Sequence, residues 1–344
     1  MMIWGAVFVI AILSSAIITG LLRRYALAKQ LLDMPNARSS HHLPTPRGGG
    51  LAIVIVFLAG LWGFAESGLL MPKALWALVG AGAGVAWVGF VDDHNHIPAR
   101  WRLLAHFAAG IWGLSCLAGF PPAIIAVSGF SVGLANLWYW LWQLVGLVYL
   151  VWLLNLYNFM DGIDGLASIE AITTCIGGAL LYLLAGQPLG LAAVPLLLAV
   201  TVAGFLVWNF PPAKIFMGDA GSGFLGIVLG LFSVQAAHLA PQFFWSWLIL
   251  LGVFIVDASW TLLRRFGRGE KVYEAHRSHA YQFASRQFGS HKTVTLAIAA
   301  INLFWLLPLA LAVGLAGLNV WLGVLLAYTP LLILAVYFRA GQRE

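Results

Sequence analysis

The sequence predicts an all-α fold: a polytopic membrane bundle of about eleven transmembrane helices (ten at the lower count), forming one integral-membrane domain over residues 1–344. Three observations carry this. The chain is 62% hydrophobic and only 9% charged, with a mean hydropathy of +0.92, which leaves a soluble fold of this size too little charge to present to water. Apolar runs of spanning length recur from end to end. The basic residues fall almost entirely in alternate loops between those runs.

The runs lie at about 2–22, 50–65, 74–91, 103–120, 137–155, 169–185, 189–208, 222–237, 243–263, 293–315 and 318–338. Runs of ~17–25 residues cross ~30 Å of hydrocarbon as helices. The second and eighth are short, hence the lower count. The first is too long for a cleaved signal segment and no small-residue cleavage site follows it, so it reads as a retained helix. The 38 glycines suit close helix packing in a bilayer. Cys116 and Cys175 both fall in apolar runs and imply neither a disulfide framework nor a zinc site. Residues 123–135, β-branched around a Ser-Gly turn, predict a small external hairpin.

Lys and Arg set the orientation. Arg23 and Arg24 close the first run, which puts the following loop in the cytoplasm and the N-terminus outside. Alternation then places Arg38, Arg47, Arg100, Arg102, Lys214, the large loop 264–292 and the C-terminal Arg339 and Arg343 inside. Of the 18 basic residues only Lys73 falls outside, and an even number of spans would break that asymmetry. The net charge of +6 is therefore explained by orientation on an anionic inner leaflet, not by nucleic acid.

Five polar clusters interrupt this apolar chain, and the topology puts all five on the cytoplasmic face. They are Thr45-Pro-Arg47-Gly-Gly-Gly50, Asp92-Asp93, the block Asn155 to Asp164, Lys214-Ile-Phe216-Met-Gly-Asp219-Ala-Gly221 and His276-Arg277-Ser-His279. Polar groups near hydrocarbon need a partner, so the coincidence favours one site at the interface. Asp92 and Asp93 end a helix, where the macrodipole disfavours negative charge. They are read either as a solvated loop start or as a pair compensated by a cation. Hard oxygen ligands favour Mg²⁺, or Mn²⁺, over zinc. Asp219 sits among glycines at a helix entrance, as an N-cap or beside a phosphate held by free N–H groups. The acids and amides are too many for one Mg²⁺, so some act as bases or nucleotide contacts. The basic loop follows the positive-inside rule, and its histidines and arginines also fit binding of pyrophosphate oxygens. Arg100 and Arg102 follow Asp92-Asp93 closely enough to offer a further phosphate contact. His41-His42 is a weaker candidate, and Asp257 is expected to pair with a nearby arginine.

These motifs resemble those of the polyprenyl-phosphate N-acetylhexosamine-1-phosphate transferases. The resemblance rests on Asp92-Asp93 after a span, on Asn155-x-x-Asn158-x-x-Asp161-Gly-x-Asp164-Gly-Leu166 and on Phe216-Met-Gly-Asp219-x-Gly-Ser222. The basic segment around Arg277 and His279 follows, and Asp33-x-Pro-Asn36 and Thr45-Pro-Arg-Gly-Gly49 look like the family's first cytoplasmic loop. The matches run from residue 33 to 282 in family order. The resemblance implies exchange of a UDP-N-acetylhexosamine with undecaprenyl phosphate, with Mg²⁺ present, to give a lipid-pyrophosphoryl sugar and UMP. It also implies a bacterial cytoplasmic (inner) membrane, with the active site facing the cytoplasm. Asp219 is similar to the family's metal-binding aspartate and Asn158 to the asparagine beside it. Asp92, with Asp93, resembles the acid proposed to deprotonate the lipid phosphate, and His279 the last-loop histidine near the pyrophosphate. Phe216 looks like the ring that stacks on uracil. Asn155, Asp161 and Asp164 fall in the nucleotide segment, and Arg47, Arg100, His276 and Arg277 are expected on the substrates.

Two departures sharpen the reading. Arg100 stands where many members carry lysine, which leaves an electrostatic role but no proton donation. His276-Arg-Ser-His279 replaces the three consecutive histidines of the translocase branch and argues against a MurNAc-pentapeptide donor. The pattern looks most like the O-antigen-initiating branch. A transporter or flippase of an anionic lipid-linked substrate is the alternative. It predicts mid-membrane charges and broken helices in symmetric halves, of which the sequence gives no sign. The preferred UDP-sugar and the oligomeric state, a homodimer included, are left open.

Overall fold

The computed structural model describes residues 2–35, 43–95, 97–126, 136–270 and 276–343. Its helices run in the order α1 (Met2–Ala28), α2 (Leu51–Glu66), α3 (Pro72–His94), α4 (Ala99–Cys116), the single turn α5 (Ala123–Ala126), α6 (Asn136–Met160), α7 (Leu166–Leu184) and α8 (Leu189–Asn209). After these come α9 (Asp219–Leu239), α10 (Pro241–Leu250), α11 (Gly252–Gly267), α12 (Ala280–Phe288), α13 (His291–Ile301), a π-helical turn (Asn302–Leu306), α14 (Leu307–Leu315) and α15 (Val320–Tyr337). Every apolar run of the sequence lies on a helix. Among the described residues eight helices are long and apolar enough to cross a membrane, with α13 to α14 counted as one, and α10 with α11 would make a ninth. The 16-residue α2 is short, and Arg100, Arg102 and His106 dilute the apolar character of α4. The architecture is the predicted all-α membrane bundle.

Helix α9 is its axis. It packs against α2, α3, α4, α6, α7 and α10, and nearly every residue from Ala220 to Ala237 is buried. An apolar helix buried all round can offer a polar group only at its ends, and Asp219 is its first residue.

Four local expectations change. The ninth run, read as one span, bends by 74° between α10 and α11. A helix can break in hydrocarbon only where other side chains take the freed backbone groups. Here the Thr174 hydroxyl donates to the Leu250 carbonyl and the Tyr328 hydroxyl to that of Leu248. The first loop is not purely irregular: β1 (Leu32–Asp33) pairs antiparallel with β2 (Thr45–Pro46), Leu32 opposite Pro46. The large loop 264–292 is mostly helical, since α11 runs to Gly267, α12 fills 280–288 and α13 begins at His291. Of the expected hairpin, Ala123–Ala126 is a helical turn and the rest lies outside the described residues, as do Asn36, Arg38, His41, His42 and Lys271. Cys175 is buried and Cys116 half-buried, both as free thiols.

Candidate active site

Two glycine-rich motifs lock together to build the site's floor. The Phe216 N–H donates to the Pro46 carbonyl at 2.8 Å. In return Gly49 and Gly50 donate to the carbonyls of Phe216 and Met217, each at 2.9 Å. A Cβ on Gly50 would fall 2.6 Å from the Gly221 Cα, so this crossing admits no side chain. The zipper sets Arg47 beside the end of α3, where its guanidinium donates to the Asp93 carbonyl.

Asp93 is buried, and its carboxylate accepts from the N–H groups of Asp219 (3.2 Å) and Ala220 (3.4 Å). It therefore caps α9 from another helix, which frees Asp219 from the N-cap role. Asp92 Oδ1 accepts from the Ile97 N–H at 2.6 Å and Oδ2 from Arg102 at 2.5 Å. The same guanidinium nitrogen lies 3.3 Å from Asp219 Oδ2, so Arg102 bridges the two acids. From α6, Asn158 Oδ1 accepts from the Ser222 hydroxyl at 2.5 Å, one turn into α9. Asp161 follows the end of α6, and its carboxylate has no hydrogen-bond partner among the described residues. Burial, with Asp219 and Asp93 close by, pushes its pKa well above the ordinary carboxylate value.

A cavity of about 130 Å³ opens beside these groups. Arg102, His106, Asn155, Asn158 and Asp219 form its polar end, and Val85, Leu103 and Leu154 line its apolar walls. Asn155 donates to the Val151 carbonyl within its own helix and also meets His106.

The basic segment approaches from the other side. Asp257 on α11 accepts from the N–H groups of Ala280 (2.9 Å) and Tyr281 (3.0 Å) and lies 3.4 Å from His279 Nδ1. Its expected arginine partner is thus replaced by the N-terminus of α12, where a carboxylate is favoured. His279 is 2% exposed and stacked between His276 (4.8 Å between centroids) and Tyr281 (5.5 Å). The Tyr281 hydroxyl donates to the Phe159 carbonyl at 3.0 Å, which joins α12 to the end of α6. Burial, His279 and Arg265 together depress the His276 pKa to about 3, so its ring is neutral near pH 7.

The structure therefore brings together Asp92, Asp93, Asp161, Asp219, Asn155, Asn158 and Arg47, with His276 and His279 across the Phe159 link. Phe216 holds the floor through its backbone, and the Arg277 carbonyl accepts from Arg286. Two of the expected residues stand apart from this cluster. Arg100 is exposed, its guanidinium 5.7 Å over the Trp101 ring, and Arg102 takes its place in the cluster. Asp164 is not open towards a ligand: Oδ2 accepts from the Ala213 N–H at 3.0 Å and Oδ1 lies 3.3 Å from His291 Nδ1. Sequence reasoning missed His106 and Tyr281, and named Ser222 only as the end of a motif. His106 had a signal, since it follows Arg102 by four residues and so shares its helix face.

The donors fit a hard divalent cation. Among the described residues no three acidic or histidine side chains form a ready-made cage. Mg²⁺ does not require one, because it binds through one or two carboxylates, waters and substrate phosphates. An unpartnered, repelled Asp161 beside Asp219 is the acid surplus such an ion would relieve.

Comparison with known proteins gives the family. Residues 75–237 match Glycosyl transferase family 4. The chain is 27% identical over 338 residues to the "Probable undecaprenyl-phosphate N-acetylglucosaminyl 1-phosphate transferase" of Bacillus subtilis (strain 168), covering 96% of this chain and 89% of the relative. It is 31% identical to the "Decaprenyl-phosphate N-acetylglucosaminephosphotransferase" of Mycobacterium leprae (strain TN), covering 83% and 79%. With the "Undecaprenyl-phosphate alpha-N-acetylglucosaminyl 1-phosphate transferase" of Thermotoga maritima it shares 27% identity, over 86% and 87%. Paired acids at a span end, an asparagine–aspartate block and a Gly-Asp helix entrance thus meet in one place in a chain that belongs to the polyprenyl-phosphate N-acetylglucosamine-1-phosphate transferases.

Proposed function

We propose that the protein transfers an N-acetylhexosamine 1-phosphate from a UDP-sugar to undecaprenyl phosphate at the cytoplasmic face of the bacterial inner membrane. The relatives' names favour N-acetylglucosamine as the sugar. The product, undecaprenyl-pyrophosphoryl sugar, would start an O-antigen or related envelope polysaccharide, with UMP released.

The observation that carries this reading is the placement of an acid-rich cluster where α3 and α6 end and α9 begins, bridged by one arginine and flanked by a cavity with apolar walls. A lipid phosphate can reach a water-soluble nucleotide only at such a boundary. In the reaction a lipid-phosphate oxygen attacks the β-phosphorus of the UDP-sugar. A new P–O bond forms, and the bond from β-phosphorus to the bridging oxygen breaks towards UMP. Two anions must be brought together, so the chain has to supply positive charge and orientation. Arg102 and Arg47 supply the charge from α4 and the glycine zipper and Arg277 from the basic segment, where the neutral His276 serves orientation. Asp92, with both oxygens engaged, holds Arg102 in place, which suits an orienting role better than proton abstraction. Asp219, with Asn158 beside it, would hold Mg²⁺, which when bound neutralises phosphate charge. The broken span matches one expectation of the transporter reading, and turnover separates the two, since a transporter makes no UMP.

The test is UMP release by purified protein with undecaprenyl phosphate and a panel of UDP-N-acetylhexosamines, with and without EDTA. Asp219→Ala should lower turnover by about 10³-fold while the protein stays folded in the membrane. Near wild-type turnover by that variant would remove Asp219 from the metal site.

A further inference from the structure

Beyond α15 the chain does not drift into solvent. Arg339 and Gly341 both adopt positive φ (57° and 75°), which folds the tail back under the bundle. Ala340 is fully buried and packs with Ala280 and Ala335 beside Trp260 and Phe338. Its carbonyl accepts from Arg264 at 2.9 Å. The Gly341 N–H then donates to the Ser278 carbonyl at 2.6 Å. Arg343 closes the strap with a 3.0 Å ion pair to Glu270, whose carboxylate also takes Arg265 and Arg268.

Ser278 is what makes this contact matter. It separates His276 from His279, is itself buried, and lies 3.0 Å through its hydroxyl and 3.3 Å through its N–H from His276 Nδ1. The segment is thus gripped from two sides, by Asp257 at Ala280 and Tyr281 and by the tail at Ser278. Among the described residues, the other hydrogen bonds of Ser278 go to His276 alone, so the tail is what ties its backbone to the bundle.

We propose that residues 340–343 are positioning residues for the histidine pair: they fix the Ser278 carbonyl and through it the orientation of His276 towards Phe159 and the candidate site. Gly341 is the critical member. A Cβ there would meet Arg264 Cβ at 2.9 Å and the Thr261 carbonyl at 3.2 Å, in a backbone conformation that side chains disfavour.

The kinetic arm of the test rests on the transfer reading; the exchange arm does not. Gly341→Ala should slow UMP release about tenfold with KM for the UDP-sugar within about twofold, as expected for misplaced positioning groups. In a His276→Ala background the same substitution should add less than about twofold, because both changes act through one group. Amide hydrogen exchange over residues 276–282 should rise in Gly341→Ala while the α9 core stays protected. If Gly341→Ala does not fold, Arg343→Glu gives the same readouts, since its side chain is 73% exposed and it lies outside the helices. Loss that multiplies in the His276→Ala background, or unchanged exchange at 276–282, would overturn the proposal. Absent UMP release by the wild type, with exchange rising as expected, would instead overturn the transfer reading and leave the strap standing.

Discussion

Two sets of carboxylates lie near the same end of the bundle and have opposite surroundings. Asp164, Asp257 and Glu270 have each oxygen engaged by a backbone N–H, a histidine or an arginine. Asp161 has no such partner among the described residues, and Asp219 has one oxygen 3.3 Å from a guanidinium that Asp92 holds more closely. The first set fastens segments together: Asp164 the loop 210–214, Asp257 the start of α12, Glu270 the tail. The second set holds like charges close together, which among the described residues Arg102 offsets at Asp219 and not at Asp161. On the proposed reading, satisfied acids carry the fold and unsatisfied ones carry the chemistry, because a buried charge without a partner is tolerated only where a ligand supplies one.

Substitution should separate the sets by the sign of its effect on stability. Asp161→Asn removes like-charge repulsion and no hydrogen bond. UMP release should fall by about 10²–10³-fold while the thermal midpoint in detergent holds or rises slightly. A fall in the midpoint would show that Asp161 has a structural partner and would move it into the first set. Asp257→Asn should do the reverse. One of its two acceptor oxygens becomes an amide NH₂ facing an N–H, at a cost of about 1–3 kcal/mol. For a chain of this size that lowers the midpoint by about 2–4 °C, and the activity lost should be smaller than for Asp161→Asn.

The sequence made the second set easy to find and the first set hard. Asp161 and Asp219 are polar islands in an apolar chain, and the alternation of arginines is enough to put them on one face. What the fastening acids bind could not be read from spacing. The partners of Asp257 are backbone groups 23 and 24 residues away, which carry no side-chain signal. Arg100 and Arg102 are both cations within one helical turn, and two positions along a helix turn a side chain by roughly 200°. Only the packing of α4 decides that Arg102 faces Asp92. The bend at Leu251 was hidden for a similar reason. Residues 243–263 hold no proline, and the hydroxyls that accommodate the break come from α7 and α15.

The smallest expected effect tests the histidine side of the comparison. His276 is held neutral, with its pKa at about 3, by burial and by the neighbouring His279 and Arg265, against the opposing pull of Asp257 and Glu270. An opened segment would return the ring to its ordinary value near 6.5. The sign follows from proton binding: below pH 6.5 the open form takes up a proton that the closed form refuses, so acid favours opening. At pH 5.5 the closed segment should lose at most about 1.4 kcal/mol relative to pH 7.5, a loss of protection of no more than about tenfold, and solvent screening of the partly exposed ring lowers both. Hydrogen exchange over residues 276–282, corrected for intrinsic rates, reads this directly. His276→Asn should abolish the pH dependence without altering protection over α9. A segment equally protected at both pH values would mean that the ring accepts its proton in place, and His276 would then reach the phosphates as a cation.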